Sequence, residues 1–284
     1  MFKIKFYSSF CDSQNCKEVY ERLCETDLCD FYGKGKKVEF TTDNDYTHVI
    51  IVNTAMPVIK NNIPKENVIG LAYEPLHFLN LTQNFVNYAV NNIGKYFIGD
   101  KLNLPEPFVE HYGYMWHVTP LRHIPEKKNR MSIMISMKYQ TFGHKYRHEL
   151  TSLILTQGLP VDVYGRGCGL YKIKSSRLKG EFDNLEPYES YDFHIAIENV
   201  KSNHYFSEKI TNTLLCGTTP IYWGCKNIKD YFGEDVISLT GEANRDVELI
   251  KDVLKNPEQY KRNIDVNKIK EKISLLQNLD NIFE

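Results

Sequence analysis

Residues 193–224 read FHIAIENVKSNHYFSEKITNTLLCGTTPIYWG. The apolar run Phe193–Ile197 has the character of a strand. A polar loop follows it, then the helical stretch Ser207–Cys216, Gly217 as the helix stop, and Thr219–Trp223 as a second strand. Strand, helix, strand with a short return is the unit from which parallel sheets are built, so this stretch decides for an α/β layered fold. Glu198 and Asn199 stand at the mouth of the first strand, and Tyr205, Glu208 and Lys209 where the loop becomes the helix. The unpaired N–H groups and positive dipole end of a helix start suit a diphosphate. A lysine adds a point charge for phosphates, and a glutamate accepts hydrogen bonds from a ribose diol. The plainer reading of the same residues is a cap at Ser207 with Glu208 as first-turn decoration.

The rhythm continues on both sides. Met131–Met137 reads as a strand, Lys145–Gln157 as a helix, and Val161–Tyr164 as a strand that ends in Gly165-Arg166-Gly167; Asp235–Leu239 closes the series. Residues 120–130 (PLRHIPEKKNR) combine two prolines with five basic side chains, counting His123, and mark a domain boundary. Before it, Lys3–Tyr7, Val38–Phe40, Thr47–Asn53 (THVIIVN), Val68–Tyr73 (VIGLAY) and Lys95–Ile98 read as strands and Cys11–Cys29 as a helix. Runs that are β-branched and nearly all apolar belong to strands buried on both faces. The expected architecture is two Rossmann-like domains, 1–122 and 123–262, facing a cleft at the carboxyl ends of their strands. A helical tail, 263–284, is expected to pack back across them.

Composition narrows the function. With 284 residues, 42% hydrophobic and 25% charged, the chain is of the soluble globular class. Lys+Arg 35 against Asp+Glu 36 leaves a net charge of -1, which argues against a nucleic-acid binder held by phosphate contacts. No apolar run approaches a membrane span, and MFKIKFYSSFCD lacks the apolar core and cleavage site of a signal peptide, so a cytoplasmic location is expected. Of seven cysteines, Cys11, Cys16, Cys24 and Cys29 cluster, but their gaps are wider than those of a thiolate zinc site, and free thiols are expected. The one Asp-x-Asp, Asp43-Asn44-Asp45, lies in a polar turn and reads as no metal site, and the sequon Asn80-Leu81-Thr82 goes unused without secretion. No G-x-G-x-x-G follows the first strand of either half, which counts against a dinucleotide oxidoreductase.

Phe193, Glu198-Asn199, Tyr205, Glu208-Lys209, Gly217 and Pro220-Ile221 stand in the order and spacing of a family signature. Residues 191–232 resemble the donor-binding region of the α-1,3/α-1,4-fucosyltransferases, glycosyltransferase family ten, and the likeness extends more loosely over 130–240. The first 120 residues match only in architecture. The resemblance implies a GT-B fold and an inverting, metal-independent transfer of L-fucose from GDP-β-L-fucose to a glycan hydroxyl, with α-1,3 linkage expected and no cofactor. It implies that Asn199, Tyr205, Glu208 and Lys209 line the donor site beside Glu198. Arg147, in HKYRHEL, matches the family's diphosphate-binding arginine, with Lys138 and Lys145 as neighbouring substitutes. Glu74, at the end of VIGLAY, matches the base that deprotonates the acceptor; Glu110, His111 and Asp100 are its alternates.

Other candidates rest on the residues themselves. The turn after Tyr164-Gly165 lets backbone approach a guanine or ribose, or is a plain glycine turn. His204 sits in the donor loop as a candidate ligand contact, whereas His194 reads as a satisfied structural histidine. Tyr112, Tyr114, Trp116 and His117 are candidates for sugar-stacking at an acceptor site, with interdomain packing as the alternative, and Trp223 reads as core. Two other functions stay open: the same clamp on another nucleotide sugar (UDP-xylose or a UDP-hexose), and a non-catalytic nucleotide-sugar or glycan-binding module.

Overall fold

The apolar runs become two separate six-stranded parallel sheets. The structure, a computed structural model, describes residues 1–24, 38–119, 121 and 123–283. They form one unit of Met1–Arg122 with Ser202–Tyr205 and Lys270–Glu284, and a second of His123–Lys201 with Phe206–Ile269. Two short pieces therefore sit elsewhere than the sequence reading placed them. Ser202–Tyr205, inside the signature, belongs to the first unit, and the tail divides after Ile269. Phe283 stacks on Phe2 and meets His48 edge-on, at 5.5 and 4.8 Å between ring centroids.

The first unit contains β1 (Phe2–Ser8), α1 (Ser13–Cys24), β2 (Val38–Phe40), β3 (His48–Val52), β4 (Val68–Leu71), α2 (Gln83–Asn92), β5 (Lys95–Ile98) and β6 (Phe108–Glu110). Its sheet order is β2-β1-β3-β4-β5-β6. Val49, Ile50 and Ile51 have no exposed surface, as their unbroken apolar run requires. Helix α1 begins at Ser13, inside the expected span Cys11–Cys29, and the end of that span lies outside the described residues. The unread helix α2 starts at Thr82, whose hydroxyl accepts from Phe85 N at 3.2 Å, and buries Phe85 and Ala89 one turn apart.

The second unit contains β7 (Asn129–Met134), α3 (Phe142–Thr156), β8 (Val161–Tyr164), β9 (Leu178–Gly180), β10 (Tyr191–Ser202), α4 (Glu208–Leu215), β11 (Thr219–Cys225), α5 (Ile228–Phe232), β12 (Ile237–Ser238), α6 (Ala243–Lys255) and α7 (Pro257–Tyr260). The chain leaves it within α8 (Val266–Ile273) and ends in α9 (Leu279–Phe283). The sheet order is β12-β11-β10-β7-β8-β9. Strand order reverses between β7 and β10 here, and between β1 and β3 in the first unit. Loops leaving adjacent strands in opposite directions open a crevice at such a point. Each unit has a cavity there: about 460 Å³ against Tyr7, Ser8, Ser9, Asp12 and Ala55 in the first, and about 450 Å³ in the second. No helix among the described residues is long and apolar enough to cross a membrane.

Alternation along β7 and β10 sorts the second unit's side chains. Met131, Ile133, Ile135, Phe193, Ile195 and Ile197 pack with Tyr146, Leu150 and Ile154 of α3 and with Val247 and Ile250 of α6. Ser132, Met134, His194, Ala196 and Glu198 therefore take the other face. Helix α3 lies against the end of β10 because position 143 is glycine: a Cβ there would stand 1.9 Å from Glu198 O and 2.7 Å from Asn199 O. Gly143→Ala should consequently destabilise the protein by about 1–3 kcal/mol, read as a lower urea midpoint. An unchanged midpoint would mean that α3 slides away from β10 at no cost.

Candidate functional site

The site is organised around a carboxylate with no exposure at all, that of Glu198. Its Oε1 accepts from Ser207 N at 2.8 Å, its Oε2 accepts from Ser207 Oγ at 2.7 Å, and Lys209 Nζ lies 3.4 Å from Oε2. The start of α4 is thereby tied to the end of β10. Ser207 is the cap of α4, as the plain reading had it, and accepts from Lys209 N at 3.4 Å. Lys209 Nζ also donates to Ser207 Oγ (2.9 Å) and Glu208 Oε1 (3.0 Å). Burial works against the Lys209 charge, but Glu208 and Glu198 outweigh it and raise its pKa. Burial likewise opposes the Glu208 carboxylate, and Lys209 overcomes it, lowering that pKa.

Arg147 arrives from α3, one turn after the capping box of Thr141 and His144. Its NH2 donates to Ile197 O and, at 3.3 Å, to Asn199 Oδ1. A guanidinium has more donors than these contacts use. Burial lowers its pKa, opposed by Glu198 and Glu208.

Arg147 and Lys209 both line the 450 Å³ cavity, together with Lys138 and Arg166. Among the described residues its wall has these four cations and no carboxylate. The remainder is largely apolar: Met134, Ile135, Met137, Phe182, Ile195, Ala196 and Ile197. Such a wall suits a ligand that is anionic at one end and flat and apolar at the other. Gly165 also lines it; with φ 101 and an added Cβ only 2.2 Å from Ile135 O, that position requires glycine. No group of three or more His, Cys, Asp or Glu side chains able to hold a metal occurs among the described residues.

The other sequence candidates fall in different places. Asn199 joins the cavity through Arg147, and Glu208 through Lys209. Glu198 lies beneath the site as its anchor rather than on its wall. Tyr164 is buried, its hydroxyl 2.8 Å from that of Tyr191, away from the cavity lining. Tyr205 and His204 pack with the first unit: Gly99 would place a Cβ 3.1 Å from Tyr205 Cβ, and His204 Nε2 is 3.8 Å from Glu110 Oε1. Tyr112 and Tyr114 are buried at 1% and 7% exposure, and Trp116 meets Phe10 and Tyr73 edge-on. His117 Nδ1 donates to Val118 O. Tyr112 and Tyr114 are thus buried in the first unit with Trp116 and His117 part-buried beside them, and Trp223 belongs to the core of the second. Sequence reasoning missed Arg166 as a cation of the wall, although its place directly after the strand-ending Gly165 was a signal.

Glu74 is exposed in the loop after β4, which ends at Leu71 rather than at Tyr73. Asn53, at φ 54, accepts from Tyr73 N at 2.8 Å through Oδ1, and the Tyr73 hydroxyl is 2.6 Å from that of Tyr20. The chain is thus held just before Glu74. Asp100 accepts from Ser202 Oγ (2.6 Å) and Asn203 N (3.3 Å), and His111 donates to Tyr112 O (2.8 Å). Both are engaged in tying the first unit together.

The architecture is that of the GT-B glycosyltransferases. The fold is similar over 98% of the chain and 98% of the other to that of HepE of Anabaena, solved with UDP (TM-score 0.57, 11% identity). It is also similar, over 100% of this chain and 90% of the other, to an α1,3-fucosyltransferase solved with GDP-fucose (TM-score 0.53, 13% identity). Residues 124–268, just over half of the chain, match the C-terminal region of glycosyltransferase family 10 (fucosyltransferase), and the chain belongs to that family. Over 83 residues it is 36% identical to α-(1,3)-fucosyltransferase B of Drosophila melanogaster, a match covering 27% of this chain and 19% of that one. The chain spans between 19% and 29% of the length of the curated relatives it matches.

Glu198→Gln should cost about 1–3 kcal/mol in urea unfolding, because an uncharged amide cannot serve Ser207 and Lys209 together. Stability should also fall with acidification. Burial lowers the pKa of His144 to about 4 and of His194 to about 3, from an ordinary 6.5. Between those values the unfolded chain binds protons that the folded chain refuses, so stability present above pH 6.5 is lost as pH drops. The urea midpoint should be lower at pH 5 than at pH 7, with a shallower dependence in His144→Gln. Equal midpoints at both pH values would contradict neutral buried imidazoles.

Proposed function

We propose that this chain is an inverting fucosyltransferase that moves L-fucose from GDP-β-L-fucose to a hydroxyl of a glycan. The observation that carries the reading is the cavity at the β7/β10 reversal, walled by Lys138, Arg147, Arg166 and Lys209 with no carboxylate among its described lining residues. Membership of family 10 supports it. The diphosphate takes the cationic end, and the base takes the apolar end near Met134 and Phe182. Glu208, with 47% of its side chain exposed, turns to the ribose hydroxyls, and the diphosphate replaces it beside Lys209.

Departure of GDP places negative charge on the diphosphate while the sugar carbon becomes cationic. Arg147, Lys209 and the N-terminus of α4 stabilise that charge, and no step is assigned to a metal ion. The acceptor hydroxyl attacks the face opposite the leaving group, giving inversion, and Glu74 takes its proton. For the acceptor, the first unit's cavity offers the hydroxyl and carboxylate groups of Tyr7, Ser8, Ser9 and Asp12. It replaces in that role the cluster of buried Tyr112 and Tyr114 with part-buried Trp116 and His117.

Titration calorimetry with GDP, UDP, CDP and ADP, each with and without EDTA, tests the donor. GDP should bind best, and equally well with EDTA. A UDP preference would move the donor to a UDP-xylose or UDP-hexose on the same clamp. Lys209→Ala should weaken GDP binding at least tenfold, as for a lost charge-assisted hydrogen bond. Glu74→Ala should lower kcat by about 10²–10⁴ and leave GDP affinity intact. Turnover unaffected by Glu74→Ala would remove it as the base, and absence of turnover with preserved GDP binding in the unaltered protein would favour a binding module.

A further inference from the structure

His194 is fully buried, lines the 450 Å³ cavity, and pairs across the ladder with Ser132. The sequence reading of a satisfied structural histidine holds for only half of the ring. Ser132 Oγ donates to Pro187 O at 2.5 Å, and the same oxygen lies 2.8 Å from His194 Nδ1. A carbonyl only accepts, so the hydroxyl proton is committed to Pro187 and Ser132 Oγ can only accept from the ring. The imidazole proton is thereby fixed on Nδ1, which leaves Nε2 as a bare lone pair. That atom is buried and has no hydrogen-bond partner among the described residues. The Tyr188 ring, centroid to centroid 4.7 Å away, helps to hold the imidazole plane. Ala196, two residues on and on the same strand face, keeps this part of the cavity open.

An acceptor buried without a donor carries a desolvation cost that a ligand can remove. An ionised phosphate cannot do so, because it has no proton to offer; the cationic wall serves that group. Resting on the donor-site reading above, we infer that Nε2 of His194 is a specificity-determining acceptor for the nucleotide. It takes one hydrogen bond from a ring N–H or amino group of the base or from a ribose hydroxyl, and discriminates against a nucleotide that presents a bare acceptor there.

Calorimetry on the unaltered protein, His194→Phe and His194→Gln tests this with GDP, inosine diphosphate, 2′,3′-dideoxy-GDP and inorganic pyrophosphate. His194→Phe should bind GDP about tenfold more weakly and pyrophosphate unchanged, and His194→Gln, which returns an acceptor, should recover most of the loss. The donor is the amino group if the gap between unaltered protein and His194→Phe vanishes with inosine diphosphate. It is a ribose hydroxyl if the gap vanishes with dideoxy-GDP, and the ring N–H if both analogues retain it. A folded His194→Phe that binds GDP like the unaltered protein overturns the inference. Should the variants not fold, nitrogen NMR of the unaltered protein decides: the His194 Nε2 resonance should be that of an unprotonated nitrogen and shift with GDP but not with pyrophosphate. A protonated Nε2, or one indifferent to GDP, overturns it too. If the unaltered protein binds no nucleoside diphosphate, the donor-site reading itself falls, and this inference with it.

Discussion

One buried carboxylate governs the second unit. Glu198 has no contact with solvent, and a buried carboxylate must be partnered, which Ser207 N, Ser207 Oγ and Lys209 Nζ do here. Those partners are the first residues of α4, and the carboxylate therefore sets where that helix begins and where Lys209 points. The neighbouring residue Ile197 supplies the carbonyl that holds Arg147. Two cations from helices far apart in sequence are thus brought to one cavity by adjacent residues of a single strand.

The cavity's charge follows from an asymmetry in how the acids and bases are used. Glu198 is consumed within the protein, and Glu208 leans on Lys209 while keeping half of its surface in water. Neither carboxylate lines the cavity, whereas Arg147 and Lys209 do, joined by Lys138 and Arg166 from the loops after β7 and β8. A balanced chain with net charge of -1 can in this way present a wall of one sign. Close backbone approach makes the arrangement possible. Gly143 lets α3 touch β10, and Gly165 lets the end of β8 touch Ile135.

Much of the fold was legible because short runs rich in β-branched and aromatic residues, bounded by turn residues, mark strands. Val38–Phe40, Lys95–Ile98 and Val161–Tyr164 have in the structure the limits read from sequence. Helix α2 was not legible: QNFVNYAVNN is rich in asparagine, a poor helix former, and only its Thr82 cap and the Phe85/Ala89 pair betray it. The site was legible as residue types but not as roles. Glu198 and Glu208 look alike in a strand-loop-helix motif, and burial alone makes one an anchor and leaves the other available. Tyr112 and Tyr114 show why aromatic clusters mislead, since the same rings that stack on sugars also fill cores.

The sequence by itself determined the layered α/β class and the family signature that runs through Glu198-Asn199 and Glu208-Lys209. These follow from local pattern: hydrophobic period, glycine and proline punctuation, and charged residues at a helix start. Only the tertiary structure decided which unit claims Ser202–Tyr205, that Lys138 and Arg166 complete a cationic wall, and that His194 keeps one nitrogen unpaired among the described residues. Each of these depends on contacts between residues distant in the chain, here Asp100 with Ser202, β7 and β8 loops with α3 and α4, and Ser132 with His194. No local pattern encodes such contacts, because the same side chain serves as core, cap or ligand according to what the folded chain sets beside it.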